Sequence, residues 1–362
     1  MKQILYLVYG NETYHHEAMA SILSGLNQEQ KQRQSNPSLA GQPPIRWRVI
    51  TPQPEHWRSA PPSIEVVTIQ PETLETMAGP HQYFHRSKIC VINQFMLDAD
   101  MTVFVDTDTV FVDDPNRLFD PIERDCFVVD ECYPLTLEDR NADFHRQAVI
   151  DWVASYDVNP LAMTEINSGV IGVKKEWKAT MELAEIMVDE LYPLCERFFS
   201  AEQFAIGLAA QVNHRLTQHP NTLIHYWPNK PLYRRRVRLF ADSNYDERLI
   251  PMLSQPLPKP AFLVKQLYRI GAWLLSPKHM TDLLLLSFAF SKFYNQHDAF
   301  VALGWGEHVY NQYAFHNKDG EWSTLDKKLD HPIGRLMFSR QQRTTIRSVI
   351  EAARQRHQTV FT

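Results

Sequence analysis

Cysteine is scarce in this chain: Cys90, Cys126, Cys132 and Cys195 are the four among 362 residues. None forms a Cys-X-X-Cys pair, and a chain this long does not need disulfides to hold a core, so all four are expected to be reduced and mostly packed. Long apolar runs are missing too. The longest late run, LLLLSFAF at 283–290, is far short of the roughly 20 residues a membrane-spanning helix takes. The first run, ILYLVYG at 4–10, ends in a turn-like GNET rather than a small-residue cleavage site, so no signal peptide is expected. Nor is there a basic excess. With 37 Lys and Arg against 42 Asp and Glu the net charge is −5, which speaks against a nucleic-acid partner. There is no internal repeat and no low-complexity tract. A soluble, cytoplasmic protein is the expectation, and 44% hydrophobic content is ample for one large domain or two smaller ones.

What is present is an alternation of strand-like and helix-like segments. ILYLVYG is an apolar run closed by glycine. HHEAMASILSGLNQEQ (15–30) places Met19, Ile22, Leu23 and Leu26 on one helical face. WRVITP (47–52) and IEVVTI (64–69) read as strands, YFHRSKICVINQFML (83–97) as a helix, and TVFVDTD (102–108) and CFVVDE (126–131) as strands. This order predicts an α/β fold, a mostly parallel sheet with helices on both faces. Further on, GVIGVKK (169–175) and NTLIHYW (221–227) are strand-like. WKATMELAEIMVDELYPLC (177–195) and AEQFAIGLAAQV (201–212) are helical. A Pro-dense stretch, PMLSQPLPKP (251–260), separates these from an apolar, helix-prone tail with Trp273 and Trp305. The predicted division is therefore a domain over 1–250 and a mainly helical extension over 251–362.

The stretch TVFVDTDTVFVDD (102–114) carries the chemistry. In an extended chain residues i and i+2 share a face, so Asp106 and Asp108 project together while Thr107 points away. Two adjacent anions repel: either one stays protonated or a cation lies between them. A hard divalent ion satisfies both carboxylates and leaves positions for phosphate oxygens. Ligands of parallel sheets bind at the carboxyl ends of the strands, where this pair sits. The plain alternative is a solvated loop just past a strand. Asp113 and Asp114 follow, and Asp114, before Pro115, is expected to cap the next turn.

FVDTDTVFVDD resembles the Asp-X-Asp signature of nucleotide-sugar glycosyltransferases with the GT-A fold. Other segments fit that family in order: Tyr9-Gly10-Asn11 closing the first strand, HRSKICVINQFML before the metal motif, INSGVIGVKK, AEQFAIG, and IHYWPNKP. The resemblance spans roughly residues 1–230 and is nearest to the retaining glycogenin-like and lipopolysaccharide galactosyltransferases. It implies a GT-A-like domain moving a hexose from a nucleoside-diphosphate donor, such as a UDP-sugar, to an acceptor hydroxyl. It implies Mn2+ or Mg2+ held by Asp106, Asp108 and His225, and imidazole with two carboxylates suits Mn2+. Tyr9, Gly10, Asn11, Asp106, Asn167, Gly169 and Lys230 would contact nucleotide or donor sugar, together with a basic residue, Lys88 or its rival Arg86. Glu202 and Gln203 would line the reacting face. The chain departs from the family in two places. His225-Tyr-Trp-Pro228-Asn-Lys230-Pro is one residue shorter than the usual late segment, with Pro for Gly, and Glu202 stands where Asp is usual.

Each of these residues has a plainer reading: His225 as a core histidine, Lys88 as a helix-surface charge, Asn167 as a turn residue, Gln203 as a solvent-facing one. RRRVR (234–238) reads as a solvated loop, or as a surface for an acidic acceptor or an anionic membrane contacted peripherally. The acceptor, whether glycan, lipid or protein, is not readable. Two other functions stay open. Asp106-Thr-Asp108-Thr-Val110 also matches the first motif of haloacid-dehalogenase-like phosphatases, with Asp106 as nucleophile. A nonenzymatic nucleotide-sugar binder would keep the same fold.

Overall fold

A computed structural model describes residues 1–36, 41–135, 146–160, 163–194, 200–227 and 230–255. The chain divides into two compact units, Met1–Trp227 with Val237–Ser254, and Pro228–Arg236 with Gln255–Thr362. The helical tail expected past 251 lies, from 256 on, outside the described residues, as does Cys195. Cys90, Cys126 and Cys132 are free thiols. Among the described residues no helix is long and apolar enough to cross a membrane.

In chain order the elements are β1 (Lys2–Leu7), α1 (Glu12–Ser35), β2 (Arg46–Thr51), β3 (Ile64–Thr68), α2 (Pro71–Met77), α3 (Arg86–Phe95), β4 (Met101–Val105), β5 (Thr109–Phe111) and α4 (Asp120–Glu123). Then come β6 (Cys126–Leu135), α5 (Arg146–Ala154), β7 (Met163–Lys174), α6 (Lys178–Leu191), α7 (Ala201–Asn213), β8 (Arg215–Gln218), β9 (Leu223–His225), α8 (Lys230–Asp242) and α9 (Ile250–Ser254). Among the described residues seven strands make one sheet in the order β3-β2-β1-β4-β7-β6-β8, and β5 and β9 form a separate ribbon. β3, β2, β1 and β4 are parallel neighbours, β7 runs antiparallel to both β4 and β6, and β8 is parallel to β6. This is the mostly parallel, helix-flanked α/β sheet expected. β4 is central, and Thr102–Val105 are all buried, which is why it reads as a near-continuous apolar run. On one face Ile89, Ile92, Met181, Met187, Phe204 and Leu208 of α3, α6 and α7 pack with Leu5, Phe104, Val129 and Ile171 of the sheet.

Three details differ from the sequence reading. The strand expected over 102–108 stops at Val105. Asp106 N still donates to Gly169 O at 2.9 Å, but the chain then leaves the sheet so that β5 can pair with β9. The RRRVR cluster is not a loop but part of α8, in keeping with arginine's good helix propensity. β8, a short polar strand at the sheet edge, gave no apolar alternation to read.

Candidate metal and donor site

The carboxyl ends of the parallel strands β1, β4 and β6 lie at one edge of the sheet, and β7 adds an irregularity there. Val129 of β6 faces Ile171 of β7 while Glu131 faces Asn167, so Ser168–Val170 bulge opposite Asp130. Bulges of this kind re-aim side chains. Here the bulge turns Ser168 toward Lys88 and Glu202.

Asp106 and Asp108 flank Thr107 in the turn from β4 to β5. The ribbon pairs Thr109 with His225, and Tyr226 N donates to Asp108 O at 3.0 Å. A backbone ladder thus carries His225 to the acidic turn. Its Nε2 lies 3.4 Å from Asp108 Oδ2. Ligand atoms of Asp106, Asp108 and His225 all fall within 4.8 Å of one another, and among the described residues this is the group able to hold a metal ion. The other ring nitrogen, Nδ1, is 2.6 Å from Asp130 Oδ2, and Asp130 Oδ1 is 3.2 Å from His219 Nε2. The side chains of Asp108, Asp130 and His225 are 7%, 5% and 7% exposed.

The electrostatics of the cluster call for positive charge. Burial by itself would lower the pKa of His225, but hydrogen bonds and charge from Asp108 and Asp130 outweigh it and push His225 up to about 10. Burial would likewise raise Asp130, yet His219 and His225 hold it below the usual carboxylate range. Lys88 is nearly sealed. Its Nζ donates to Asp106 Oδ2 at 3.0 Å, Ser168 O at 3.1 Å and Ser168 Oγ at 3.0 Å. Burial opposes its charge, but Asp106, Glu202 and Asp108 prevail and its pKa is raised. Two carboxylates and an imidazole are a donor set that fits a divalent ion of the manganese or magnesium type.

Beside this cluster, Glu202 accepts from Tyr83 Oη at 2.5 Å and from Ser168 Oγ at 3.1 Å, and Gln203 Oε1 accepts from Ser168 N at 3.1 Å. Tyr9 borders the same region. Burial raises its phenol to about 12, and Tyr14, Asp106 and Glu202 add to the effect. Gly10 takes φ +96°, a conformation glycine adopts without strain. Gln53 clasps it, accepting from Gly10 N at 2.9 Å and donating to Gly10 O at 3.2 Å. Asn11 caps α1 by accepting from Thr13 N at 3.0 Å. Asn167 Oδ1 accepts from Gly169 N at 2.9 Å and so holds the β7 bulge.

Arg86 turns away to α6, where Asp189 takes it bidentately at 2.7 and 2.9 Å and Glu185 at 3.0 Å. Lys230 opens α8 and belongs to the second unit. Asp113 pairs with Arg117 and accepts from Asp114 N at 2.8 Å, and Asp114 caps the following turn at Asn116 N as expected. Sequence reasoning did not single out Asp130, His219, Tyr83 or Ser168. In the sequence Asp130 follows an apolar run, FVV, just as Asp106 follows VFV, and that shared pattern is the signal that could have found it.

No protein-family model matches the sequence, and no curated protein does. Solved structures are similar in part. The galactosyltransferase LgtC, in complex with donor and acceptor sugar analogs, matches with a TM-score of 0.42 at 12% identity, over 71% of this chain and 98% of that one. The bifunctional glycosyltransferase WbbM in its apo form matches at 0.39 and 15% identity, over 61% of this chain and 38% of that one. Mouse xyloside xylosyltransferase 1, also apo, matches at 0.37 and 9% identity, over 59% and 82%. All three are glycosyltransferases. At these scores the site's own residues carry the functional reading.

Proposed function

We propose that this chain is a metal-dependent glycosyltransferase that moves a sugar from a nucleoside-diphosphate donor, such as a UDP-sugar, to an acceptor hydroxyl, with retention of configuration. The supporting observation is the convergence of Asp106, Asp108 and His225 within 4.8 Å. It lies at the carboxyl ends of the parallel strands of a mostly parallel sheet, where α/β proteins bind ligands.

Asp106, Asp108 and His225 would hold Mn2+ or Mg2+. When bound, the cation neutralises charge that builds on the diphosphate as the glycosidic bond breaks, worth several kcal/mol. Lys88, fixed against Asp106 and Ser168, adds a permanent cation beside the phosphate position. Tyr9, Gly10 and Asn11 offer the nucleotide the rigid turn that Gln53 clasps. Asn167 and Gly169 shape the wall against the donor sugar, and Glu202 and Gln203 line the reacting face.

In the transfer, the bond from the anomeric carbon to the phosphate oxygen breaks, a bond from that carbon to the acceptor oxygen forms, and the acceptor proton passes to the leaving phosphate. Among the described residues no side chain stands out as a general base, which suits retention with the leaving phosphate as the proton acceptor. The donor functions fall within 1–250, and we assign acceptor recognition to 251–362.

The test is thermal. A ligand that binds only the folded state stabilises it by RT ln(1 + [L]/Kd). UDP or a UDP-sugar should raise the melting temperature in Mn2+ and leave it unchanged in EDTA. An equal shift in EDTA would overturn the metal bridge. Phosphomonoester hydrolysis without nucleotide-sugar cleavage would favour the phosphatase alternative.

A further inference from the structure

We infer that Asp130 is a positioning residue that fixes which nitrogen of His225 faces the metal, a role that rests on the metal-centre reading above. An ionised carboxylate only accepts hydrogen bonds. With Asp130 Oδ2 at 2.6 Å, Nδ1 of His225 is therefore the nitrogen that carries a proton. In the neutral ring the lone pair is then on Nε2, the nitrogen beside Asp108. The ring is set for coordination through one nitrogen.

Asp130 is itself fastened. Its second oxygen accepts from His219 Nε2 at 3.2 Å, and the backbone of His219 is tied to Val129 O at 2.9 Å. Both oxygens are thus held by the segment that leads from β8 into β9. The carboxylate also sits opposite the β7 bulge, on a strand otherwise apolar from Phe127 to Val129. A carboxylate this deep is costly unless it is paired. Here it is paired twice, and one partner is the histidine of the metal group. Carboxylates behind metal-binding histidines orient the ring and make the ligating nitrogen more basic. Their loss typically weakens metal binding about 10- to 100-fold.

A merely structural Asp130 would tie β9 to β6 and leave metal affinity alone, so the test reads affinity and tautomer rather than turnover. Mn2+ is titrated calorimetrically into the full chain, wild type and variants, with circular dichroism to verify folding. Asp130→Ala should bind Mn2+ about 10- to 100-fold more weakly. Asp130→Asn, which keeps the size and one acceptor oxygen, should fall between. Independently, long-range proton–nitrogen NMR of the Mg2+-loaded wild type should find the His225 proton on Nδ1, protected from exchange. Wild-type affinity in Asp130→Ala overturns the inference alone. A proton on Nε2 does so without any variant, should Asp130→Ala fail to fold. Failure of the wild-type chain to bind Mn2+ or Mg2+ overturns the metal-centre reading, and the inference with it.

Discussion

Gly169 lies so close to the ring of His225 that a methyl group on residue 169 would stand 2.4 Å from both Cε1 and Nδ1. Carbon atoms in contact sit about 3.5–4.0 Å apart, so any side chain here must displace the ring. The resemblance implied that Gly169 contacts the nucleotide or donor sugar; its close neighbour in the structure is the candidate metal ligand itself. The ring cannot move freely, because Asp130 holds Nδ1 at 2.6 Å. Gly169→Ala should therefore weaken Mn2+ binding at least about tenfold. It should also cost about 1–3 kcal/mol of stability, as overpacking does. Calorimetric titration with Mn2+ and urea unfolding measure the two effects. Unchanged Mn2+ affinity would mean that His225 does not ligate from this position.

Lys88 and Arg86 were rivals in the sequence and are separated by their partners. Lys88 faces Asp106 and Ser168, while Arg86 binds Asp189 and Glu185 of α6. Lys88→Met should lower affinity for UDP in the presence of Mn2+ while leaving a folded chain. Arg86→Met should instead lower the melting temperature, because it strands two partly buried carboxylates, and should leave UDP affinity largely intact. Fluorescence or calorimetric titration of both variants with UDP and Mn2+ tests this, and the reverse pattern would transfer the phosphate contact to Arg86.

Much of the sheet could be read directly, because β1 and β4 are buried along most of their length and carry the apolar runs 4–7 and 103–105, while β2, equally buried, keeps Trp47, Val49 and Ile50 around Arg48. The acidic turn was equally plain, since two like charges crowded at the end of a buried strand repel unless a cation or a proton relieves them. What the sequence hid depends on pairing across long separations. Asp130, His219 and His225 meet because β7 bulges opposite β6 and β9 leaves the main sheet to join β5, and no local pattern encodes that. Tyr83 and Glu202 are joined the same way, by α7 packing near the approach to α3. Arg86 shows the opposite limit: its spacing placed it as well as Lys88, and only its tertiary partners set it apart.

Metal uptake should release a proton. The ordinary histidine pKa of 6.5 is raised to about 10 in the folded chain. Without metal, the stability this contributes is fully present below pH 6.5 and is lost as pH rises through about 10. A cation on Nε2 must displace the proton held there. Between those limits Mn2+ affinity should rise with pH, by up to about tenfold per unit for one proton released. Calorimetry in buffers of different ionisation enthalpy counts the protons. An affinity flat between pH 6.5 and 9 would mean that His225 does not hold the displaced proton.

Asp108→Asn should abolish metal-dependent turnover, whereas Asp113→Asn should change it little. Each exchange replaces a carboxylate by an amide of nearly the same size, so packing is held constant. Asp108 is buried in the ligand group, beside His225. Asp113 is engaged by Arg117 and by its own turn. Asparagine keeps one oxygen but loses the anionic charge that holds a hard cation. If the cation lowers the barrier by several kcal/mol, its loss at Asp108 should cost about a hundredfold or more, since each 1.36 kcal/mol is tenfold in rate. His225→Ala should fall between, because water can replace one neutral ligand in part. Turnover of a UDP-sugar at saturating Mn2+ is the measurement, with circular dichroism to verify folding. Equal losses at Asp113 and Asp108 would move the metal further along the chain. Near-normal turnover in Asp108→Asn would mean that the acidic turn after β4 holds something other than a catalytic cation.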